Sequence, residues 1–248
     1  MKLFTILKST CALLLFSYST TTVAQYAEPY FQQDELPNLI KVLPTPPDTC
    51  SEAFSHDIMR YFWGKTMRRD PERAATAIRD ADWRTPAICH EFSVPFGLAI
   101  TPENTPEIFH LLDRSLSTSD HIATAPKAFY MRKRPFARFQ EPSLAPWDDE
   151  ELSHNGSYPS GHTIRGWCAA LILSEINPAA ADTLLARGYI YGESRVVVGA
   201  HWQSDVDAGY LAATAVYMKL HTSPDFLQQL ERARAEFARL TRRKISAK

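Results

Sequence analysis

The apolar run from Ile164 to Ile176 is the sequence feature that most constrains how this chain can fold. Its large apolar side chains recur at the three- and four-residue spacing of an amphipathic helix, at Ile164, Trp167, Cys168, Leu171 and Ile172. Comparable helical patterns cover most of the chain, whereas the alternation that is typical of strands is nowhere sustained. We therefore predict an all-α protein with a single compact helical domain.

The other helices are predicted from the same periodicity together with capping residues and prolines. They begin near Ser51, at Asp70-Pro71-Glu72, at the Thr-Pro-Glu repeats of 101–107, at Ser119, at Asn177-Pro178, at Gln203 and at Ser223-Pro224-Asp225. The helix from Ser119 is expected to run to about Lys133, because a residue that precedes a proline disfavours the α conformation. Two proline-containing stretches without a clear period, 84–96 and 140–155, are expected to form a connection and a solvated acidic loop.

The first 24 residues have the composition of a secretory signal peptide. Lys2 and Lys8 accompany an apolar stretch at 11–16, and Thr22-Val23-Ala24 matches a small-residue cleavage pattern. A membrane anchor is the alternative, but the apolar stretch is much shorter than the roughly 20 residues that a membrane span requires. We therefore divide the chain into a signal peptide (1–24), an extended proline-rich segment (25–50) and a helical domain (51–248), and expect a periplasmic protein that does not contact the membrane.

Charge and cysteine content exclude several classes of partner. Without the signal peptide the chain keeps 25 basic and 28 acidic side chains, which argues against a broad basic surface for nucleic acids or anionic lipids. Cys50, Cys89 and Cys168 remain, and Cys168 lies in the apolar run, so Cys50 and Cys89 are the pair that could form a disulfide. The three cysteines contain no CxxC spacing, which argues against a zinc site.

Three separated segments concentrate residues that are suited to phosphate. In the first, Lys127 and Arg134 are seven residues apart, two turns on the predicted helix, so both cations are expected to leave one face and converge on one anion. Arginine offers a planar fork and lysine a point charge for such an anion. For this segment alone, a solvated basic helix end is the alternative.

The second segment, Gly156–Thr163, is a turn that leads into the helix of the apolar run. The first turn of a helix has unpaired N–H groups and the positive end of the helix dipole, which together attract anions. Ser160 adds a hydroxyl, Gly161 a backbone that a ligand can approach closely, and His162 an imidazole able to donate a proton. The alternative is an ordinary helix cap at Ser160 followed by a surface histidine.

The third segment contains Arg195, His201 and Asp205. His201 and Asp205 are four residues apart, so a helix that begins near His201 would place both on one face. A carboxylate at Nδ1 would fix the tautomer of the imidazole and leave Nε2 as a nucleophile. The alternatives are a capping role for Asp205 and ion pairs of Arg195 with Glu193 or Asp207.

In chain order the three segments read K-x6-R-P, P-S-G-H and S-R-x5-H-x3-D. This set resembles the superfamily of type 2 phosphatidic acid phosphatases and vanadium haloperoxidases, and the surrounding residues are similar to those of the bacterial class A non-specific acid phosphatases, which include periplasmic apyrases. The resemblance implies that His201 attacks phosphorus to form a phosphohistidine, that Asp205 orients its ring, and that His162 protonates the leaving oxygen and later activates water. It also implies the residues that bind the phosphoryl oxygens, namely Lys127, Arg134, Ser160, Gly161 and Arg195.

The resemblance implies hydrolysis of small-molecule phosphate monoesters, with no metal or other cofactor, an acid pH optimum and a homo-oligomer. An apyrase that cleaves nucleoside triphosphates could use the same residues. A vanadium haloperoxidase is disfavoured by the chain length, a lipid phosphatase by the missing membrane spans, and a non-catalytic phosphate-binding protein by the His201–Asp205 pair and the second histidine. Substrate selectivity is expected to come from the rim of the site, where the candidates are Trp147, the acids of 148–151, His154 and Tyr158.

Overall fold

A computed structural model describes residues 27–246, and these residues form helices and connections without a strand. The α-helices are α1 (Leu39–Val42), α2 (Glu52–Met67), α3 (Pro71–Arg79), α4 (Thr85–Phe96), α5 (Pro106–Ile122), α6 (Thr124–Tyr130), α7 (Pro135–Phe139), α8 (Asp149–Ser153), α9 (Gly161–Ile176), α10 (Ala181–Val198), α11 (Gln203–Leu220) and α12 (Pro224–Ser246). Short 3-10 helices lie at Gln33–Glu35, Pro146–Asp148 and Pro178–Ala180. The all-α prediction is confirmed, while the proposed signal peptide lies outside the described residues.

The helix of the apolar run, α9, lies at the centre of the packing. Twelve of its sixteen residues are buried, and it packs against α10, α11 and α5. The amphipathic spacing describes it only in part, because Trp167 and Leu171 are half-buried while Ala169 and Ala170 are fully buried. A helix that is covered on nearly all sides is held rigidly. The segment Gly156–Thr163, which contains the start of this helix and is called the histidine-bearing turn below, is held rigidly with it.

Two apolar clusters support the part of the fold around the start of α9. The main core joins α5, α9, α11 and α12 through residues such as Leu112, Leu173, Val216 and Phe226. A smaller cluster packs Val198 and Ala200, at the end of α10, against Ala77 and Ala81 near the end of α3. The second cluster therefore holds the connection that leads to His201 against the connection between α3 and α4.

The proline-rich segment before α2 is more structured than an extended strand. It contains a 3-10 turn and the short α1, and Leu36, Leu39 and Leu43 are buried in the main core. Tyr158 in the histidine-bearing turn donates a hydrogen bond of 2.5 Å from its hydroxyl to the carbonyl oxygen of Pro44. The segment thus packs behind the turn. The division of the chain at residue 50 stays a prediction.

The prediction of a connection at 84–96 is wrong, because these residues form α4. Pro86 lies in the first turn, where a missing N–H costs no helical hydrogen bond, and Pro95 lies in the last turn. Ile88, Phe92 and Phe96 are four residues apart and fully buried, so burial of one face stabilises the helix despite its prolines.

The prediction of one helix from Ser119 to about Lys133 is also wrong. Residues up to Ile122 continue α5, and α6 ends at Tyr130 because Met131 adopts a left-handed conformation with φ of 40°. The chain is then extended until Arg134, which precedes Pro135 at the start of α7. Lys127 and Arg134 therefore do not share a helix face.

The other helix starts agree closely with the sequence. Asp70 caps α3 with Pro71 in its first turn, α5 opens at the second Thr-Pro-Glu repeat, and α11 spans Gln203–Leu220. The predicted acidic loop contains the short α8 and a 3-10 turn. None of the helices within 27–246 combines the length and hydropathy that crossing a membrane would require.

The disulfide that was considered between Cys50 and Cys89 is absent. Cys89 is fully buried in α4, Cys50 is exposed just before α2, and both are free thiols. Cys168 packs in the core as a small apolar residue, as predicted. Burial raises the pKa of the Cys168 thiol to about 11, so this thiol stays protonated.

Candidate active site

Side chains from all three predicted segments meet at one pocket of about 900 Å³. Lys127, Arg134, Gly161, His162 and His201 line its inner part. The remaining predicted residues are fully buried around it: Ser160, Arg195 and Asp205. The packing of the helices thus brings together chain segments that are up to 78 positions apart, from Lys127 to Asp205.

Lys127 and Arg134 converge even though they do not lie on one helix. The Lys127 Nζ donates a hydrogen bond of 2.8 Å to the Gly156 carbonyl oxygen, and Arg134 NH2 donates one of 3.4 Å to the same oxygen. Arg134 is also fixed by the carbonyl oxygens of Leu152 and Asn155 through its Nε. Both cations are therefore oriented before any ligand arrives, which a solvated helix end would not achieve.

The cations of the pocket are crowded and desolvated. Burial, followed by the charge of Arg134, holds the pKa of Lys127 well below its usual range, and burial lowers the pKa of Arg134 to about 10. An anion that binds among them would reverse part of this cost, because an opposite charge favours the charged form of each group. The electrostatics of the pocket therefore favour anionic ligands.

Arg195 is the clearest sign of such a ligand. It is fully buried in the last turn of α10, and its Nε and NH1 atoms make no hydrogen bond to any of the described residues. The predicted alternatives are wrong, since Glu193 pairs with Arg60 and Asp207 accepts a hydrogen bond from Gln203. Buried donors are normally paired, so a guanidinium with two unpaired nitrogens is suited to a phosphoryl group.

The turn before α9 brings its backbone close to these cations. Ser160 caps α9 by accepting hydrogen bonds from the backbone N–H and the hydroxyl of Thr163. Only a glycine fits at position 156, because a Cβ atom there would lie 2.3 Å from the Lys127 carbonyl oxygen. At Gly161 a Cβ atom would lie 3.0 Å from the ring of Trp83. The capping role predicted as an alternative for Ser160 is confirmed, and it also presents the helix N-terminus to the pocket.

His162 is buried rather than on the surface, so that alternative is wrong. Its Nε2 donates a hydrogen bond of 3.0 Å to the Ala81 carbonyl oxygen, and its ring meets the edge of Trp83 at a centroid distance of 4.7 Å. Burial and the nearby charge of Arg195 hold the pKa of His162 well below its usual range. The free imidazole is therefore neutral at physiological pH, with Nδ1 as the atom that titrates.

His201 lies just before α11 rather than on it, because Trp202 is the N-cap residue of that helix. Its Nδ1 faces Oδ2 of Asp205 at 3.4 Å, and its Nε2 accepts a hydrogen bond of 3.0 Å from Arg134. The same Oδ2 accepts from the Trp202 backbone N–H, so Asp205 is both a cap and the histidine's partner. Burial and the charges of Arg134, Lys127 and Arg195 hold the pKa of His201 well below its usual range, which keeps Nε2 unprotonated.

Sequence reasoning missed two charged residues behind His201. Arg132 NH1 donates to the other oxygen of Asp205, and its NH2 donates a hydrogen bond of 2.7 Å to Asp57 in α2. Arg132 belongs to the basic run that drew attention to Lys127 and Arg134, but the sequence does not reveal which of its cations points inward. Asp57 is a single acid in a helical stretch without any motif to mark it.

The wall beside His162 was missed as well. It is formed by the connection between α3 and α4, in which Asp80 accepts hydrogen bonds from Arg187 and Ser194. This anchors the neighbouring Ala81 carbonyl that receives the His162 hydrogen bond. Trp83 follows in the same connection, and the Arg165 guanidinium lies 4.7 Å from the centroid of its ring. Finding this wall from sequence would have required recognising α4.

Of the predicted rim, Trp147 and two of the four acids line the pocket, whereas Asp149, Glu150, His154 and Tyr158 do not. Trp147 and the acids Asp148 and Glu151 line the outer part of the pocket, and 65% of Trp147 is exposed. Tyr158 is buried behind the turn, and His154 lies outside the pocket lining, where it contacts Glu150. Trp147, Asp148 and Glu151 are therefore the rim candidates that the structure places at the pocket.

Comparisons with known proteins agree with this geometry. Residues 114–226 match the PAP2 superfamily, and this range includes all three segments. The chain is 42% identical over 212 residues to a non-specific acid phosphatase of Providencia stuartii, covering 85% of each chain. It is 40% identical over 216 residues to a non-specific acid phosphatase of Salmonella typhimurium (87% of this chain, 86% of that protein) and 36% identical over 225 residues to an acid phosphatase of Zymomonas mobilis (89% and 83%).

Proposed function

The chain belongs to the PAP2 superfamily and, within it, to the non-specific acid phosphatases, and we propose that it hydrolyses phosphate monoesters through a phosphohistidine on His201. The observation that carries this proposal is the meeting of two buried imidazoles with two buried arginines and the half-buried Lys127 at one pocket. A protein that only binds phosphate needs the cations but not a neutral, carboxylate-paired imidazole beside them.

In the first step, the phosphoryl group of the substrate binds among Lys127, Arg134 and Arg195, whose charges stabilise its equatorial oxygens. Arg195 contributes the N–H groups of Nε and NH1, which lack a partner within the described residues, and the first turn of α9 contributes backbone N–H groups. Nε2 of His201 attacks phosphorus, the bond to the leaving oxygen breaks, and His162 donates a proton to that oxygen. Asp205 stabilises the imidazolium that forms.

In the second step, the neutral His162 takes a proton from water, and the resulting hydroxide attacks the phosphohistidine. The P–N bond breaks, Nε2 of His201 regains its lone pair, and inorganic phosphate leaves. His162 ends this step protonated, ready to act as an acid in the next turnover. One imidazole therefore makes and breaks the bond to phosphorus while the other only carries protons.

The rim favours monoesters over the apyrase alternative. Asp148 and Glu151 line the outer pocket, and their carboxylates have no hydrogen-bonded or ion-paired cation among the described side chains, whereas Asp82 and Glu91 of the opposite wall are paired with arginines. A triphosphate or pyrophosphate would bring its second phosphate towards these two carboxylates. We expect Asp148→Asn with Glu151→Gln to increase kcat/KM for ATP and pyrophosphate relative to a monoester about tenfold. An unchanged ratio would remove the reason for preferring monoesters.

Trapping of the intermediate tests the central proposal. The full protein is mixed with a phosphate-labelled monoester and quenched in alkali, in which phosphohistidine is stable, and the labelled peptide is identified. We expect label on His201, and in His201→Ala neither label nor activity, with a loss on the order of 10⁴ or more. His154→Ala is the matched control, because this exposed histidine lies outside the pocket lining. Full turnover by His201→Ala, or label on another residue, would overturn the assignment.

Two further measurements address the remaining alternatives. Among the described residues, no group of three or more His, Cys, Asp and Glu side chains is placed to hold a metal ion, and we expect turnover to be insensitive to EDTA. Vanadate is expected to inhibit, because it resembles the phosphorane that forms during transfer. Halide oxidation by the vanadate-loaded protein without phosphatase activity would support the haloperoxidase alternative instead.

Export to the periplasm and assembly into a homo-oligomer are parts of the same proposal. The identity with the non-specific acid phosphatases extends over most of the chain, which supports a shared architecture. Osmotic shock of the cells tests export. Release of a chain whose N-terminus lies near residue 25 would support both export and cleavage after Ala24. Light scattering on the mature protein would give the number of subunits, and a monomeric mass would refute the oligomer.

A further inference from the structure

A buried ionic network that lies outside the pocket lining stands behind the proposed nucleophile. It joins Asp57 of α2, Arg132 of the extended stretch after α6, and Asp205 of α11. The Asp57 and Asp205 side chains are 1% and 0% exposed, and that of Arg132 is 9% exposed. The network thus connects three chain segments in the protein interior, where an unpaired charge would be very unfavourable.

Each member of the network is held by directional contacts. Arg132 uses its two terminal nitrogens on different carboxylates, NH1 on Asp205 and NH2 on Asp57, and NH1 also donates to the Ser204 hydroxyl at 2.7 Å. Asp57 accepts from the backbone N–H of Ser204 at 2.8 Å and from its hydroxyl at 2.6 Å. Asp57 therefore binds the first turn of α11 at Ser204, the residue just before Asp205.

The two carboxylate oxygens of Asp205 have different partners. Oδ1 accepts from Arg132, which leaves Oδ2 to accept from the Trp202 backbone and to face Nδ1 of His201. A single buried carboxylate without this cation could rotate or take up a proton, and either change would release the imidazole. The guanidinium fork fixes the plane of the carboxylate as well as its charge.

From this arrangement we propose that Arg132 and Asp57 are positioning residues that hold Asp205, and through it His201, in the orientation required for attack on phosphorus. The proposal rests on His201 being the nucleophile. Neither Arg132 nor Asp57 is part of the pocket lining, so any effect on His201 passes through the residues that they contact, Asp205 and Ser204.

The two residues are expected to act on His201 with opposite sign. The charged and titratable groups that act on its ring are Asp205 from α11, Arg134 and Lys127 from the first segment, Arg195 from α10 and His162 from α9, with the Ser157 backbone as a hydrogen-bond partner. Loss of Arg132 leaves two buried carboxylates behind the ring, which stabilises its protonated form. Loss of the Asp57 charge leaves Arg132 less compensated, which stabilises the neutral form.

The test is the pH dependence of kcat/KM for p-nitrophenyl phosphate in full-length variants. A protonated His201 cannot attack, so the acid limb of the profile reports its pKa. We expect Arg132→Gln to lower kcat at least tenfold and to move the acid limb upward by on the order of one pH unit. Asp57→Asn, which keeps the shape and most hydrogen bonds, should move it downward and leave inhibition by inorganic phosphate unchanged.

Further variants separate positioning from folding. Arg132→Lys keeps the positive charge but loses the planar guanidinium that contacts both carboxylates. The acid limb of this variant should therefore lie close to that of the unmodified protein, while its kcat stays reduced. Arg60→Gln is the matched control, because Arg60 also ties α2 to α10 and α11, through Glu193 and Gln203, without touching Asp205. It should leave the profile unchanged. If Arg132→Gln does not fold, the acid limb of Asp57→Asn still tests the proposal, since the positioning role requires it to move downward.

The possible failures are distinguishable. Equal losses of kcat in the Arg132 and Asp57 variants without movement of the acid limb would reduce the network to a structural role and overturn the proposal. Full activity in His201→Ala would instead overturn the proposed function itself. Activity abolished in His201→Ala, together with unmoved limbs in both network variants, would leave the proposed function intact and refute only the positioning role.

Discussion

The two histidines of the pocket differ in what holds them. His201 faces a buried carboxylate, and that carboxylate is itself held by an arginine and a second carboxylate. His162 is held by a backbone carbonyl and by contact with a tryptophan ring. In the proposed mechanism His201 carries a positive charge only after it has attacked, so it needs a fixed negative partner. His162, as the proposed proton carrier, must change charge twice per turnover.

A backbone carbonyl suits the second task because it orients the ring without holding a full charge against it. Replacing Ala81 O by a carboxylate would bind the imidazolium strongly and raise the pKa of His162. The proton would then be retained instead of transferred. The difference between the two partners thus follows from the two roles, and it predicts unequal effects when each partner is changed.

Removing the carboxylate is expected to have the largest effect. In Asp205→Asn the amide group can donate to Nδ1 of His201, which would stabilise the tautomer whose Nε2 carries the proton. We expect a fall in kcat of about 10⁴, as is found when a histidine loses its orienting carboxylate in other enzymes. Steady-state kinetics measures it, with circular dichroism to verify the fold. A loss below about tenfold would mean that Asp205 serves mainly as the cap of α11.

Removing the proton carrier should have a smaller effect that depends on the substrate. In His162→Asn the amide can keep the hydrogen bond to Ala81 but cannot protonate a leaving oxygen. We expect kcat/KM, which reports formation of the phosphohistidine, to fall about 10²- to 10³-fold for an alkyl phosphate and much less for p-nitrophenyl phosphate, whose leaving group needs no proton. Equal losses for both substrates would show that His162 binds the phosphoryl group and does not act as an acid.

The sequence was sufficient to predict which residues meet at the pocket, because their spacing forms three recognisable motifs. It was not sufficient for the support behind them. Three basic residues stand in a row at 132–134, and only the left-handed turn at Met131 decides that Arg132 reaches Asp205 while Arg134 reaches His201. That turn is set by packing between distant segments, which no local pattern records.

The same reason explains why the sequence correctly predicts that Lys127 and Arg134 converge but gives the wrong cause for it. They were expected on one helix face, but they meet at the Gly156 carbonyl oxygen from two different elements. Trp83 was missed because the periodicity of α4 is interrupted by prolines, and the burial that outweighs them is a property of the whole core. Tyr158 was misplaced because an aromatic residue beside a catalytic motif can point to either side of the turn.

The pH dependence of the unmodified protein compares the two histidines directly. Attack needs a neutral His201, so the rate falls as pH decreases through the pKa of His201. Proton donation needs a charged His162, so the rate falls as pH increases through the pKa of His162. Both pKa values are held below the usual range by burial and nearby cations, which moves both limbs of kcat/KM to acid pH.

Bound phosphate should shift the pH range between the acid and alkaline limbs. The anion offsets the charge of Arg195, which is the strongest cationic influence on the pKa of His162. We therefore expect the alkaline limb of kcat, which reports the complex, to lie about one pH unit above that of kcat/KM, which reports the free enzyme. At a fixed pH on that limb, the protonated fraction of His162 is then roughly tenfold larger in the complex than in the free enzyme. Coincident limbs would indicate that Arg195 does not act on His162 through the bound phosphate.

The smallest effect is expected from the packing contact of His162. A methyl group in Gly161→Ala would lie 3.0 Å from the Trp83 ring, and that ring cannot retreat freely because the buried Arg165 lies 4.7 Å from its centroid and is bonded to Asp120. We expect a loss in kcat/KM of about three- to tenfold, confined to substrates with poor leaving groups, because the displaced ring disturbs His162 and not His201. Trp83→Leu should make room for the methyl group, so Gly161→Ala should cost less in that background than in the unmodified protein. Additive losses in this double-mutant cycle would mean that Gly161 acts on the phosphoryl group through its backbone alone, and that the tryptophan wall does not position the proton carrier.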